Sequence, residues 1–358
     1  MGSRTKEIEE VRSSYESRFR NKLLFVLITG GLLVLLALFS LGTGAVSFSF
    51  AETLRALVGE GTAMARTIIW NIRAPRVLTA VVVGAGLAVA GAALQSLLRN
   101  PLASPYTLGI SHAAAFGAAF SVVVLGAGSS GGADGGIVFN NPYITVISAF
   151  SWSMLTVFII VALGKYRNSS PVTLILTGIA LGSLFTAGYT VMQYFADSSE
   201  LSSIVFWTFG DVGRTSWLQL GIVSALVAPV ALYFVYRGWQ FRAMSSGDET
   251  AKSLGVKPER LRLIGTLLSG LITALMVSFV GIIGFVGLVV PHIVRRFIGG
   301  EERYLIPASC LVGSLLLLGS DTAARTVVAP IVLPVGILTS FLGVPLFIYL
   351  VIRGKEYW

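Results

Sequence analysis

The sequence predicts an all-α polytopic membrane protein of about ten transmembrane helices, with both termini on the cytoplasmic side. Three observations predict it. Apolar residues make up 54% of the 358-residue chain and charged residues only 12%, where a soluble globular domain carries about twice that charged fraction. Mean hydropathy is +0.82. Uncharged runs long enough to cross a bilayer recur from end to end. The 40 glycines fit the same class, since small residues let membrane helices approach closely.

Residues 1–22 form a polar tail of mixed charge, read as cytoplasmic, and residues 23–358 as one transmembrane domain. The first apolar run, Leu23–Leu41, exceeds the ~7–15 residue core of a cleaved leader and is read as a retained helix. The following runs are Val77–Leu98, Tyr106–Leu125, Tyr143–Leu163, Val172–Phe195, Trp217–Tyr236, Leu263–Val280, Phe285–Ile298, Leu305–Leu318 and Pro334–Ile352. The run Phe285–Ile298 is short and contains Pro291, so it crosses only partly or bends.

Charge sets the orientation. With the N-terminus inside, only Arg55, Arg66, Arg73, Arg76, Arg214 and Arg325 of the 26 basic residues fall on outer segments. Retention of Lys and Arg on the cytoplasmic side explains that split and the net charge of +9. The bilayer is thus the implied partner, and no nucleic acid is needed.

The connections carry their own signals. Ser47–Gly61 places Leu54, Leu57 and Val58 at helical spacing and reads as a short interfacial helix. Gly126–Asn141 is a Gly/Ser connector. Ser203–Arg214 is an apolar piece too short to span, placed to lie across an outer mouth. The longest inner loop, residues 237–262, contains "MSSGDETAKSLGV". Ser246 and Glu249 read as a capping box, Asp248 and Glu249 as a first turn, and Gly255 after Leu254 as the stop. This helix either exposes Ala251 and Leu254 to something in the cytoplasm or folds back on the bundle.

Nothing points to an enzyme. No phosphate-binding Gly-Lys-Ser/Thr loop or His-Glu-x-x-His motif occurs, and no residue is assigned a catalytic or metal-binding role. His112 and His292 are far apart and His292 reads as structural or interfacial, and Cys310 has no partner for a disulfide. Asp321 and Arg325, four apart, can pair on one helix face. With acids this scarce within the apolar runs, the energy source for any transport is not an ion site in this chain. Arg73 and Arg76 run against the charge bias. They serve either lipid headgroups or, with Arg325, the docking of an acidic extracytoplasmic surface. "RNPLASP" forms a tight inner turn: Pro101 drives Asn100 out of helical geometry, Leu102 follows, and Pro105 suits the next helix's first turn.

Three strings carry a resemblance. "IRAPRVLTAVVVGAGLAVAGAALQSLLRNPLASPYTLGIS", "SGDETAKSLGV" and "GFVGLVVPHIVRRFIGGEERYLIPASCLVGSLLLLGSDTAARTV" with "LPVGILTSFLGVPLFIYLV" resemble the FecCD-type permeases. These are membrane subunits of type II ABC importers for iron–siderophore complexes, haem or cobalamin. The resemblance implies a BtuC-like ten-helix permease fold in the cytoplasmic (inner) membrane, working as a homodimer. It further implies two ATP-binding cassette subunits below, holding ATP and Mg, and a substrate-binding protein above, with no cofactor on this chain. Gly247, Asp248, Glu249, Ala251, Leu254 and Gly255 match the segment that couples to the ATPase. Arg73, Arg76 and Arg325 match the docking arginines, and Asn100, Pro101, Leu102 and Pro105 the signature turn. Two departures stand out: Val332 where the family often has Glu, and Asp211 in "WTFGDVG" where many members have Ser.

Gly281, Gly284 and Gly287 mark a bend where helices can pivot. Thr177, Ser183, Thr186 and Thr190 in Val172–Phe195 offer a small, hydroxylated pathway wall. The rival reading is an ion-coupled secondary transporter without an ATPase, which demands a buried acid or broken helices at mid-membrane.

Overall fold

The computed structural model describes residues 2–128, 141–166, 170–329 and 331–353. Every regular element among them is helical: α1 (Gly2–Gly42), α2 (Phe50–Leu57), α3 (Ala63–Thr67), α4 (Ala74–Leu98), α5 (Ile110–Val123), α6 (Pro142–Tyr166), α7 (Pro171–Phe195), α8 (Ser198–Thr208), α9 (Trp217–Tyr236), α10 (Gly238–Ser245), α11 (Asp248–Ser253), α12 (Pro258–Val280), α13 (Val286–Ile298), α14 (Glu302–Thr326) and α15 (Val335–Arg353). A π-helical turn, Ile68–Arg73, joins α3 to α4, and a 3₁₀ turn, Val212–Arg214, precedes α9.

All ten predicted apolar runs are helices. Seven spans are long and apolar enough to cross a membrane, among them Phe19–Gly42, Ala63–Leu98 and Glu302–Thr326. The shorter α5, α13 and α15 complete the set. The 13 residues of α13 cover only about 20 Å of a ~30 Å hydrocarbon core. The expected outer connector falls largely on residues 129–140, outside the described residues. The first helix is longer than expected. α1 runs unbroken for 41 residues through the polar tail, about 60 Å, so it projects well beyond a bilayer.

Glycine sets the centre of the bundle. α4 is buried along nearly its whole length and packs on α14, α12 and α13. A Cβ on Gly84 would lie 2.4 Å from the Gly313 carbonyl oxygen of α14, and one on Gly91 only 1.7 Å from that of Gly287 in α13. Backbones touch at those crossings, and only glycine fits. The Ser314 hydroxyl donates across the first crossing to the Val81 carbonyl at 2.8 Å. The π turn has a local cause. Pro75 brings no N–H to the start of α4, and the Ala74 N–H bonds the Ile69 carbonyl five residues back.

Irregular backbone gathers at two places. Residues 281–285 interrupt the path from α12 to α13, ending at Phe285 with φ +65°, so the predicted glycine bend is real. The turn after α4 is longer than expected. Arg99 leaves the helix at φ +46° and α5 starts only at Ile110 behind Gly109 at φ +76°. Pro105 therefore sits buried inside the irregular turn of residues 99–109, not in a first helical turn.

Candidate functional site

Three regions gather the chemistry: a helix at one end of the bundle, two cavities in its middle, and an arginine cluster at the other end.

The short helix α11 stands on a fold different from the predicted one. Its N-cap is Gly247 at φ +113°, with no side-chain cap. The Ser246 hydroxyl instead donates back to the Arg242 carbonyl, so the expected Ser246–Glu249 box does not form. Gly255 at φ +77° ends the turn as expected, its N–H bonding the Lys252 carbonyl at 2.9 Å. Ala251, expected outward, is 0% exposed, while Leu254 is 59% exposed. Glu249 and Lys252 flank Leu254 on the open side. Asp248 pairs with Arg262 of α12 at 2.7 Å. Both alternatives thus hold at once: α11 folds back through Asp248 and Ala251 and offers Glu249, Lys252 and Leu254 outward.

The signature turn supplies the walls of two cavities. Asn100 Oδ1 accepts the Leu102 N–H at 2.8 Å, and Thr107 Oγ1 accepts that of Ser104 at 2.9 Å. These bonds hold Leu102 and Tyr106 on the surface. On one side of Tyr106 and Thr107 lies a cavity of about 750 Å³ against α7, lined also by Asn100, His112 and Gly182. Of the residues expected on a pathway wall, Ser183, Thr186 and Thr190 line this cavity and Thr177 lies outside it. The Thr186 and Thr190 hydroxyls bond their own helix's carbonyls, leaving oxygen lone pairs toward the space. On the other side a cavity of about 690 Å³ opens between Phe209–Gly210, Phe285 and α15.

At the far end the arginines turn inward. Asp321, 0% exposed, accepts Arg76 Nε at 3.0 Å, Arg76 Nη2 at 2.8 Å and Arg325 Nε at 3.1 Å. The predicted Asp321–Arg325 pair is therefore half of a larger cluster. Arg325 also donates to the Thr43 and Ser40 carbonyls, and Arg73 to those of Leu41 and Val46. All three side chains tie the ends of α1, α4 and α14 together on this side of the bundle and are buried or nearly so. The sequence reading held these arginines out for a docking partner; in the structure their donors bond groups of the chain itself. Arg76 keeps one contact with the half-exposed Asp211, at 3.3 Å, the residue that departs from the family pattern.

Short capped helices frame this end. In α2 the Ser49 N–H and hydroxyl donate to Glu52, holding its carboxyl below the ordinary value, and in α8 the Glu200 and Ser199 donors do the same for Asp197. Arg214 donates to the Trp207 and Phe209 carbonyls, closing the C-terminus of α8. Burial pushes its guanidinium down, opposed by the charge of Asp211.

Near the α11 end, Gln95 joins α4 to α13. Its amide donates to the Leu288 carbonyl at 3.1 Å, its oxygen accepts from Arg295, and the His292 ring donates to the same carbonyl at 2.7 Å. Among the described residues, no three His, Cys, Asp or Glu side chains gather as a metal site. Two functional suspects escaped the sequence reading, Arg262 and the Gln95–Arg295 pair. Arg262 had a signal: it stands in helical phase with Thr266, Ser269 and Thr273, all buried, and a cation in that phase faces the protein.

Comparison with known proteins agrees with this geometry. The model of the FecCD transport family matches residues 32–353. A protein of Methanocaldococcus jannaschii provisionally described as an ABC transporter permease is 48% identical over 96% of this chain and 98% of its own. The hemin transport system permease protein of Yersinia pestis is 40% identical over 92% and 96%. A solved structure described as an inward-facing conformation of an ABC transporter provisionally assigned to the metal-chelate type superposes with a TM-score of 0.79 at 32% identity, covering 92% of this chain and 98% of that one.

Proposed function

This chain belongs to the FecCD transport family, a multi-pass permease of ABC importers, and from that premise we propose that it carries a metal chelate inward by ATP-driven alternating access. The cargo class is an iron–siderophore complex, haem or cobalamin. The hemin system of the Yersinia relative and the metal-chelate transporter of the structural neighbour support it. One observation carries the mechanism. The helix α11 is held in place by Asp248 and Ala251 and presents Glu249, Lys252 and Leu254 to solvent, an anchored lever with an open face for a partner.

In this reading the α11 end faces the cytoplasm, where one of two ATPase subunits, carrying ATP and Mg, grips it. A second copy of the chain packs against the faces of α7 and α15, which expose Leu176, Ile179, Leu184, Phe341 and Leu342. The two cavities beside Tyr106 then open onto a pathway between the copies. Their walls are apolar with scattered hydroxyls, a surface that lets a large chelate pass without holding it. An extracytoplasmic binding protein delivers the cargo at the α2 and α8 end. The chain itself binds no cofactor. The secondary-transporter reading has less support, because the buried carboxylate of Asp321 is held by two guanidiniums and so is not free to carry an ion.

The test is reconstitution. Vesicles holding this chain with its ATPase and binding protein should accumulate ferric siderophore, haem or cobalamin only when ATP is supplied. Accumulation by the chain alone, driven by an ion gradient, would overturn the proposal.

A further inference from the structure

One long-range polar link in the α11 end runs through a side chain that is almost wholly buried. Arg262 is 1% exposed. Its Nη2 donates to Asp248 Oδ1 at 2.7 Å and its Nε to the Leu97 carbonyl at 3.0 Å. One planar group therefore bonds the first residue of α11 and the last turn of α4 while rooted in α12. Two residues beyond Leu97 the chain enters the irregular turn, at Arg99 with φ +46°. Arg99 of that turn also lies near the start of α11, its guanidinium 3.6 Å from where a Cβ on Gly247 would stand. The same turn supplies Ser104, Tyr106 and Thr107 to the cavity walls.

We propose that Arg262 is a positioning residue for transport, a strut that makes α11 and the 99–109 turn move as one body. The inference rests on the ATPase-driven reading above. A buried guanidinium with a short carboxylate partner does not stretch, because separating the pair leaves an uncompensated charge away from water. The fork geometry also fixes direction, with two donors at a set angle. Displacement of α11 therefore reaches the cavity wall without relying on the flexible side chains of Lys252 or Leu254. A lysine at this position would keep the charge but offers a single ammonium in place of the fork.

The experiment uses the full complex in nanodiscs, with Cys310 replaced by Ala and spin labels at the exposed Leu102 and Ser253. With Arg262 intact, the distance between labels should stay single and narrow in nucleotide-free, ATP-bound and ADP-bound states. In Asp248→Asn and Arg262→Lys it should broaden or shift with nucleotide, and cargo moved per ATP hydrolysed should fall at least fivefold. Asp248 is partly exposed, so its variant tests the link even where an Arg262 variant fails to fold. An unchanged narrow distance in Asp248→Asn, or an unchanged transport-to-ATP ratio, overturns the strut. Failure of the unsubstituted complex to couple ATP to uptake would instead overturn the proposed function, so the two failures are distinct.

Discussion

Neutralising Asp321 puts the outer cluster to its hardest test. The Asp321→Asn substitution keeps side-chain volume but leaves Arg76 and Arg325 buried against each other without their carboxylate. Removing one partner of a buried ion pair costs about 3–5 kcal/mol. The structure places this case at the lower end: Arg76 retains Asp211 at 3.3 Å, and Arg325 retains the Ser40 and Thr43 carbonyls. At roughly 2 °C per kcal/mol for a large chain, the melting temperature should drop by about 6 °C. The chain's single cysteine, Cys310, provides the assay. A fluorogenic maleimide in detergent reports its exposure on unfolding. The double variant Arg76→Met/Asp321→Asn removes one stranded charge and should recover more than half of the loss. A melt within 1 °C of wild type, or a double variant that simply adds two losses, would show that the three groups are not coupled.

The same cluster predicts that Arg73→Glu/Arg76→Glu lowers the melting temperature with no binding protein present, since both guanidiniums hold the chain's own groups; a normal melt with lost docking would return them to the surface role. Gly91→Ala must push a Cβ into the Gly287 backbone and should cost about 1–3 kcal/mol or more. Gly221→Ala, with nothing within 4 Å of the new carbon, should gain about 0.5–1 kcal/mol; equal effects in the melt would refute the packing argument. The caps give a pH prediction. Glu52 and Asp197 are lowered in the folded chain, so their contribution is full above the unfolded values near pH 4 and is lost as pH falls through the lower folded ones. Amide protection in α2 and α8 should therefore drop below about pH 4; in Ser49→Ala the drop in α2 should begin at higher pH, and in Asp197→Asn the acid step in α8 should vanish because the amide does not titrate. Protection insensitive to either change would refute it.

What the residues disclosed divides along physical lines. Membrane helices announce themselves because lipid demands an uninterrupted apolar run, and all ten runs became helices. The short helix α2 was legible for a similar reason, from Leu54, Leu57 and Val58 at helical spacing, whereas α8 begins at Ser198, five residues before the apolar piece Ser203–Arg214. Contacts across the bundle were not legible. Asp321 and Arg325 are four apart and their pairing could be read, but Arg76 joins them from 245 residues away. Nothing local says that Arg76 folds inward to bond Asp321 of α14, so a basic residue against the charge bias suggested only an external partner. Ser246 and Glu249 had cap spacing, yet the positive φ of Gly247 placed the start of α11 one residue later. The wall residues were half legible: the periodicity of α7 put Ser183, Thr186 and Thr190 on one face, and Thr177 lies outside the cavity they line.

Phe285 poses a sharper question, since a bulky residue at φ +65° is strained and glycine would relieve about 1–2 kcal/mol. The ring has a reason to stay. It lines the cavity beside α15, and its Cβ would lie 2.4 Å from a Cβ on Gly343. The side chain thus fills the gap where α15 approaches the break before α13. Two substitutions separate strain from seal. Phe285→Ala removes the ring and keeps the strain, and Phe285→Gly removes both, so glycine should be the more stable of the two by about 1 kcal/mol. If the ring seals the cavity, both variants should leak a small solute from vesicles without ATP, and to a similar extent. Tight vesicles with both variants would mean that the ring only packs, and the strain at Phe285 would then serve the bend alone.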